Sequence, residues 1–304
     1  MVSDLTANLR ERFGELVQEN VSLAPYTSAR IGGPADILVT ARSNQELAGI
    51  VNACWDANLT FKLIGGGSNI LISDKGIRGV VILNKAKATE FHPNAQPVIR
   101  AESGVILSNL AHRCAAQGLS GLEWAATVPG TIGGAVYGNA GAFGSDVAHN
   151  LLRAEILTSQ GRTWWPVKKM EYGYRNSVLK HNAQQAIILA AEFQLENGQT
   201  ETIKTTIDQF AARRKNSQPP GASMGSMFKN PPGDFAGRLI ETAGLKGTRI
   251  GNAEISGIHG NFFINHGQTS AADIKALIEL AQKTVKQKFG VSLDLEIELI
   301  GEWE

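Results

Sequence analysis

Five short segments of the sequence combine residue types that can bind a ligand or move a proton. The first is residues 65–69, GGGSN, in which three residues without a Cβ precede two hydrogen-bonding side chains. Such a run lets successive backbone N–H groups point into one concavity, a geometry that binds pyrophosphate oxygens. A lone glycine triplet more often forms a tight turn, and this one fits neither Gly-x-Gly-x-x-Gly nor the phosphate loop ending in Gly-Lys-Ser/Thr.

The second segment, residues 127–141, reads TVPGTIGGAVYGNAG and joins a proline-set turn to small residues at helical spacing. A large flat ligand could lie against the backbone of such a surface. Close packing between helices requires the same small residues. The pattern therefore leaves both interpretations open.

The third segment, residues 172–177, reads YGYRNS and places an arginine among aromatic and turn residues. Arg175 presents a planar fork of N–H donors that suits a carboxylate or a phosphate. A surface ion pair would use the same side chain. Without further evidence, that ion pair is the default interpretation.

The fourth segment, residues 225–231, reads GSMFKNP and contains Ser226, with Arg214 a short way upstream. The serine lacks the Gly-x-Ser-x-Gly elbow, so a hydrolase-type nucleophile is poorly supported.

The fifth segment is residues 293–301, a predicted strand in which Asp294, Glu296 and Glu298 share one face. On pattern alone, a solvated strand face explains these carboxylates.

Apolar periodicity and turn signals predict the elements that position these segments. The predicted helices are 1–20, 43–58, 106–117, 200–215, 234–243 and 270–289. A further short helix is predicted within 127–144. The predicted strands are 35–41, 61–64, 70–72, 79–83, 98–101, 153–159, 162–167, 186–195, 261–265 and 291–300. The first glycine run thus lies between two strands, unlike a strand-to-helix nucleotide turn. The sequence QPPG at 218–221 marks a domain boundary.

Length and composition narrow the class of protein. A chain of 304 residues exceeds one compact core, so two or three domains are expected. The 29 basic and 28 acidic residues nearly balance, so the protein as a whole lacks the positive charge that would attract nucleic acid. We expect no secretion signal and no membrane span. Cys54 and Cys114 are expected to be buried thiols. We expect no metal site, because the histidines and cysteines lack the spacing of metal ligands.

Taken together and in order, the five segments resemble those of the UDP-N-acetylenolpyruvoylglucosamine reductase family, also called UDP-N-acetylmuramate dehydrogenases, of bacterial peptidoglycan synthesis. The resemblance covers nearly the whole chain. It rests most specifically on YRNS at 174–177, GSMFKNP at 225–231 and the glutamate of the last strand.

The first two segments, with YTSARIGGP at 26–34, resemble the FAD-binding half that this family shares with flavoproteins of the vanillyl-alcohol-oxidase type. The implied fold is α+β: a two-lobed FAD-binding domain of the PCMH type, with lobes 1–66 and 67–205, followed by a smaller α+β substrate-binding domain at 206–304. The FAD is expected to be non-covalent, because neither glycine segment contains His or Cys. The residues that the resemblance assigns to FAD are Tyr26, Arg30, Gly65, Gly66, Gly67, Ser68, Asn69, Thr127, Pro129, Gly130, Gly133, Gly134, Asn139 and Gly141.

By the same resemblance, Ser226 is the proton donor, Arg175 lies in the active site and the terminal strand supplies a catalytic glutamate. Alignment on Gly301 selects Glu296, with Glu298 as the competing choice. NADPH reduces FAD, and the enolpyruvyl ether of UDP-N-acetylglucosamine then receives the hydride at its vinyl carbon. Arg175 would neutralise the carboxylate of the enolate-like product, whereas an ionised Glu296 would repel it, so we expect Glu296 to work protonated.

The chain contains no extra segment between Arg175 and Ser226, so it resembles the shorter of the family's two subclasses, which lacks a tyrosine-bearing insertion. Substrate binding is expected from Tyr174, Arg214, Lys229 and Asn230. We expect a cytoplasmic monomer or weak oligomer. The alternatives are another FAD-dependent oxidase or dehydrogenase of the superfamily, and a non-catalytic flavin-binding protein.

Overall fold

A computed structural model describes residues 9–92, 95–181 and 185–303. The chain forms two compact units. Unit 1 comprises Met1–Glu19, Ile37–Gly66 and Gly79–Arg213, and unit 2 comprises Asn20–Asp36, Gly67–Arg78 and Arg214–Glu304. The expected division of the FAD-binding part into two lobes at residue 66 stays a prediction.

The described residues contain both α-helices and strands, and the five-stranded sheet is antiparallel, which confirms the α+β class. The α-helices are Asn44–Asp56, Leu107–Ala116, Ile132–Gly138, Val147–Asn150, Thr200–Ser217, Ala236–Thr242 and Ala271–Phe289. Short 3-10 helices are Gly14–Leu16, Ala24–Tyr26, Glu123–Ala125, Val167–Met170 and Val178–His181. The strands are β1 Val17–Ser22, β2 Pro34–Ala41, β3 Phe61–Ile64, β4 Ile70–Ile72, β5 Ile77–Asn84, β6 Thr89–His92, β7 Val98–Glu102, β8 Leu119–Ser120, β9 Gly141–Ala142, β10 Ser145–Asp146, β11 Leu151–Thr158, β12 Gly161–Pro166, β13 Ile187–Gln194, β14 Glu196–Asn197, β15 Arg249–Ile250, β16 Ala253–Ile255, β17 Phe263–Asn265 and β18 Glu298–Ile300.

The two larger sheets are formed by strands between residues 17 and 194. One has the order β1-β2-β5-β3, with β3 and β5 parallel. The other is antiparallel, in the order β12-β11-β13-β7-β6. Strand β13 has seven buried residues among its eight, which is typical of a strand covered on both faces.

Unit 2 is built around the long helix Ala271–Phe289. The side chains of Ser270 and Asp273 form a reciprocal capping box at its start, and Gly290 ends it in the left-handed region at φ 72°. Its apolar stripe packs in one core with Met227, Phe228 and Phe263. The three-stranded sheet β15-β16-β17 belongs to the same unit.

The helix predicted over 1–20 is wrong at its C-terminal end. Residues 9–13 are helical, Gly14 adopts φ 51°, and β1 begins at Val17. The left-handed glycine ends the helix, and the β-branched Val17 and Val21 then suit a strand. The first eight residues of the prediction lie outside the described part of the chain.

The strand predicted over 291–300 is also wrong in extent. Only Glu298–Ile300 forms a strand, paired in parallel with β4. Upstream of it, Leu295 forms an isolated bridge with Phe228. The extended chain therefore changes its pairing partner between Leu295 and Glu298, and neither pairing is long enough for a continuous strand.

The two cysteines are buried and unpaired as predicted. None of the described helices is long and apolar enough to cross a membrane. Within the same residues, no cluster of three or more His, Cys, Asp or Glu side chains could hold a metal ion.

Candidate active site

The two glycine segments lie against each other in unit 1. A Cβ added to Gly66 would lie 2.9 Å from the Cα of Gly130, and one added to Gly65 would overlap the Thr131 hydroxyl. These glycines are therefore required for close approach between the two loops. Their packing brings the two predicted FAD-binding segments of this unit to one place.

Thr131 also begins the short helix Ile132–Gly138. It is the N-cap residue, and its hydroxyl accepts a long hydrogen bond from the Gly134 N–H at 3.5 Å. We did not assign Thr131 to the site from the sequence, although a threonine before an apolar helical run is an N-cap signal. It links Gly65 to the first turn of this helix.

The helix presents bare backbone on one part of its surface. A Cβ added to Gly134 would meet only the Thr131 hydroxyl, at 3.8 Å, and one added to Gly138 would meet nothing within 4 Å. Gly133 differs, because its added Cβ would lie 3.0 Å from the Ser103 side chain. Gly134, in the first turn of the helix, thus leaves room for a flat ligand next to the first glycine run. Gly138 lies at the other end of the helix, and Gly133 serves packing.

The loop at 172–177 is attached to the C-terminal end of this helix. The Ser177 hydroxyl donates to the Tyr137 carbonyl at 2.6 Å, and the Tyr172 hydroxyl donates to the Val136 carbonyl at 2.8 Å. Burial and the nearby Asp146 raise the pKa of Tyr172, so its hydroxyl stays a donor. These side chains satisfy the helix-terminal carbonyls that have no partner within the helix.

Arg175 lies at the tip of that loop. The backbone of Gly173 and Asn176 exchanges two hydrogen bonds, at 3.1 and 3.2 Å, which makes Tyr174 and Arg175 the two residues of a tight turn. Arg175 adopts φ 54° and donates from Nη2 to the Gly141 carbonyl at 2.9 Å. The Tyr174 ring is 57% exposed and lies 5.5 Å from the guanidinium carbon.

In unit 2, the segment that begins at Tyr26 packs on the third glycine of the first run. Gly67 has φ 60°, and a Cβ there would overlap the Tyr26 carbonyl. The Gly67 carbonyl accepts from the Ser28 N–H at 2.9 Å. Arg30 adopts φ 55° and is exposed. Gly67 is therefore needed both for its left-handed conformation and for the close approach of the Tyr26 backbone.

Asn261, which we did not predict from the sequence, holds the segment that carries Ser226. Its side chain accepts from the Phe228 N–H at 2.9 Å and donates to the Phe228 carbonyl at 2.8 Å. Its backbone carbonyl accepts from the Met227 N–H at 2.8 Å. Asn261 is 3% exposed, so these bonds form out of water. Asn261 therefore helps to fix the backbone of the two residues that follow Ser226.

The predicted catalytic glutamate lies beside the same segment. The Glu296 N–H donates to the Met227 carbonyl at 2.9 Å, and the Glu296 carbonyl accepts from the Asn69 side chain at 3.0 Å. The Glu298 N–H donates to the Asn69 carbonyl at 3.0 Å. Unit 2 therefore brings Ser226, Glu296 and Asn69 into adjoining segments.

The remaining predicted substrate residues differ in their surroundings. Burial lowers the pKa of the Arg214 guanidinium below its ordinary value, and its Nε donates to the Gln218 side chain at 2.6 Å. The Lys229 N–H donates to the Asp294 carbonyl at 2.9 Å. The Asn230 side chain accepts from the Ala236 N–H at 3.1 Å, at the start of a helix.

Of the other residues predicted to bind FAD, Ser68 and Thr127 are half-buried, and Pro129 is exposed.

Two family models match the chain. One is the UDP-N-acetylenolpyruvoylglucosamine reductase C-terminal domain, over residues 216–300, and the other is an FAD binding domain, over residues 35–165. The first match contains Ser226 and Glu296. The second contains both glycine segments.

Full-length relatives carry the same name. The UDP-N-acetylenolpyruvoylglucosamine reductase of Chloroflexus aggregans is 42% identical and covers 96% of this chain and 100% of that protein. The reductase of Bacillus velezensis is 40% identical, with 99% of each chain covered. The crystal structure of the reductase from Thermus caldophilus superposes with a TM-score of 0.77 at 33% identity, over 92% of this chain and 97% of that one.

Proposed function

Because the chain belongs to the UDP-N-acetylenolpyruvoylglucosamine reductase family, we propose that Arg175, Ser226 and Glu296 carry out its chemistry. It is an FAD-dependent oxidoreductase of peptidoglycan precursor synthesis that uses NADPH. Its substrate is a nucleotide sugar, the enolpyruvyl ether of UDP-N-acetylglucosamine, and its product is UDP-N-acetylmuramate.

The glycine segments fit a bound FAD. Gly134 offers bare backbone to open space, next to the junction of Gly65 and Gly66 with Gly130. These residues, with Tyr26, Arg30 and Ser68, would hold the cofactor without a covalent bond. When bound and reduced by NADPH, the flavin would supply the hydride that the reaction adds to the vinyl carbon of the substrate.

Arg175 balances the charge that appears when the vinyl group is reduced. Hydride arriving at the terminal carbon places negative charge on the neighbouring carbon and its carboxylate. A guanidinium held in one direction by its bond to Gly141 would pair with that carboxylate before any proton arrives. Such a preset charge stabilises the transition state without reorganisation during the step.

Ser226 would then protonate the carbon. A serine hydroxyl is a weak acid in water, but transfer to a carbanion is strongly downhill, so position matters more than acidity. The bonds from Asn261 and Glu296 to Met227 and Phe228 support this role, because they fix the adjoining backbone. Glu296 is the second catalytic side chain that we propose for this unit.

Substrate phosphates or the carboxylate would be held by Tyr174, Arg214, Lys229 and Asn230. Arg214 is half-buried, where a charge interacts more strongly with an anion than it would in bulk water. The Asn230 amide oxygen already caps a helix, so only its NH₂ group would serve the substrate.

We also retain lobes 1–66 and 67–205 and a substrate domain 206–304 as the proposed organisation. We propose that the enzyme is a monomer or a weak oligomer. We also propose that the enzyme acts in the cytoplasm.

The observation that carries the catalytic assignment is the hydrogen bond from the Glu296 N–H to the Met227 carbonyl. It keeps the proposed acid-base residues of unit 2 in adjoining segments. The overall activity is tested with purified protein under anaerobic conditions. The yellow enzyme should bleach with NADPH and recolour when the enolpyruvyl nucleotide sugar is added. Recolouring only with oxygen would indicate an oxidase, and a failure to bleach would indicate a flavin-binding protein without this activity.

A further inference from the structure

We propose that Asn139 is a positioning residue for Arg175, that it acts through the carbonyl of Gly173, and that Asp146 holds it in place. The sequence assigned Asn139 to FAD, and its bonds in the structure favour this different role. The inference rests on the proposed function of Arg175, so the experiment below includes a separate test of that function.

The side chain of Asn139 is fully engaged within the protein. Its NH₂ group donates to the Asp146 carboxylate at 3.1 Å and to the Gly173 carbonyl at 3.2 Å. Its Oδ1 accepts from the Ala148 N–H at 3.1 Å. An amide has two N–H donors, and both have partners. At 4% exposure, Asn139 therefore has no donor left for a flavin oxygen.

The bond to Gly173 acts directly on the turn that carries Arg175. Gly173 is the first residue of that turn, and its backbone pairs with Asn176 on the other side of Tyr174 and Arg175. Arg175 itself adopts φ 54°, a strained conformation for a residue other than glycine, which persists only where neighbours fix it. A side chain that fixes the base of the turn thus sets the direction of the guanidinium.

Asp146 connects the two contacts that hold this turn. It accepts from Asn139 through Oδ2, and its Oδ1 lies 2.8 Å from the His149 ring Nδ1. Its backbone pairs with Gly141, whose carbonyl accepts from Arg175. Loss of the Asp146 carboxylate would therefore release Asn139 while leaving the backbone pairing to Gly141 in place.

Asn139 also offers a substitution that isolates its side chain. It ends the helix Ile132–Gly138 in the left-handed region, at φ 48°. Glycine adopts this conformation without strain, so Asn139→Gly keeps the backbone and removes only the side-chain bonds. Asn58 is a matched control, because it has φ 51°, lies just after the helix Asn44–Asp56 and is exposed.

The experiment measures both half-reactions by anaerobic stopped-flow absorbance, together with the Kd for FAD. In Asn139→Gly we expect reoxidation by the enolpyruvyl nucleotide sugar to slow by about 10- to 100-fold, the scale of a small misplacement of a reacting group. Flavin reduction by NADPH and the Kd for FAD should change by less than about threefold. Asp146→Ala should shift reoxidation in the same direction, and Asn58→Gly should leave every rate within about twofold.

A double-mutant cycle with Arg175→Ala supplies the decisive comparison. If Asn139 acts through Arg175, then Asn139→Gly should change reoxidation by less than about twofold once Arg175 is alanine. Full additivity of the two effects, or a weakened Kd for FAD as the main effect of Asn139→Gly, would overturn the inference. If Arg175→Ala alone leaves reoxidation unchanged, the proposed role of Arg175 is wrong. If only the Asn139 and Asp146 variants lack an effect, the positioning role alone is wrong.

Discussion

Asn261 hydrogen-bonds to both backbone polar groups of Phe228, accepting from its N–H at 2.9 Å and donating to its carbonyl at 2.8 Å. An asparagine side chain that pairs with a backbone in this way replaces one residue of a neighbouring strand. Since the backbone of Asn261 also accepts from Met227, the segment that carries Ser226 is held on one side by a single buried residue.

Asn261→Ala should therefore affect both the stability and the second half-reaction. It leaves two buried backbone groups of Phe228 without partners, at a cost of about 1–3 kcal/mol for each group. The midpoint of urea unfolding should fall, and reoxidation by the nucleotide sugar should slow more than flavin reduction by NADPH. Asn252→Ala, at an exposed position of the same unit, is the control. An unchanged unfolding midpoint in Asn261→Ala would contradict this reading of the contact.

Substitutions at Gly134 and Gly138, both in the helix Ile132–Gly138, distinguish an effect on stability from an effect on FAD binding. Alanine has room at both Gly134 and Gly138, so each substitution should raise the melting temperature of the apoprotein. The gain in free energy of unfolding should be roughly 0.5–1 kcal/mol in a helix interior and less near the end of a helix. If FAD lies on Gly134, then Gly134→Ala should weaken FAD binding and Gly138→Ala should not. Titration of the apoproteins with FAD measures this difference, and equal affinities in the two variants would exclude Gly134 as a flavin contact.

His259 should make the stability of unit 2 depend on pH. Burial, with a contribution from Lys246, lowers the pKa of His259 below its ordinary 6.5. Its Nδ1 accepts from the Asn261 N–H at 3.1 Å, which requires an unprotonated nitrogen. The unfolded chain takes up the proton first, so stability is fully present above about pH 6.5 and is lost as the pH falls through the folded-state pKa.

Urea unfolding at pH 7.5 and pH 5.5 tests this dependence. The wild-type protein should lose more stability between the two values than His259→Gln, whose side chain does not titrate. Equal losses in the two proteins would show that other groups account for the pH dependence.

Local signals in the sequence predicted many of the elements. Ser43 begins the predicted helix 43–58 and caps the observed helix Asn44–Asp56, because its hydroxyl accepts from the Glu46 N–H at 3.1 Å. The Glu46 carboxylate accepts from the Arg42 N–H. The glycine run at 65–69 lies between β3 and β4 as predicted. Caps, glycines and apolar periodicity act over a few residues, so a sequence contains enough information to place them.

Contacts between segments that are distant in the sequence could not be predicted from such local signals. Nothing near Asn261 indicates that it holds Phe228, and nothing near Asn139 indicates a bond to Gly173. The prediction was also wrong at both ends of the chain. Gly14 ends the first helix ahead of β1, and the last predicted strand is divided between two pairing partners. The family resemblance selected Ser226 and Glu296, whereas the bonds that fix their backbone appear only in the structure.

The central claim is that Ser226 donates one proton to carbon after hydride transfer, and Ser226→Ala tests it most directly. Anaerobic stopped-flow absorbance follows flavin reduction by NADPH and reoxidation by the enolpyruvyl nucleotide sugar separately. Ser223→Ala, three residues upstream of Ser226, is the control. We expect Ser226→Ala to reduce its flavin at a nearly normal rate and to reoxidise about 100-fold or more slowly, the scale of a lost general acid. An equal loss in both half-reactions, or a normal rate of reoxidation, would contradict the claim.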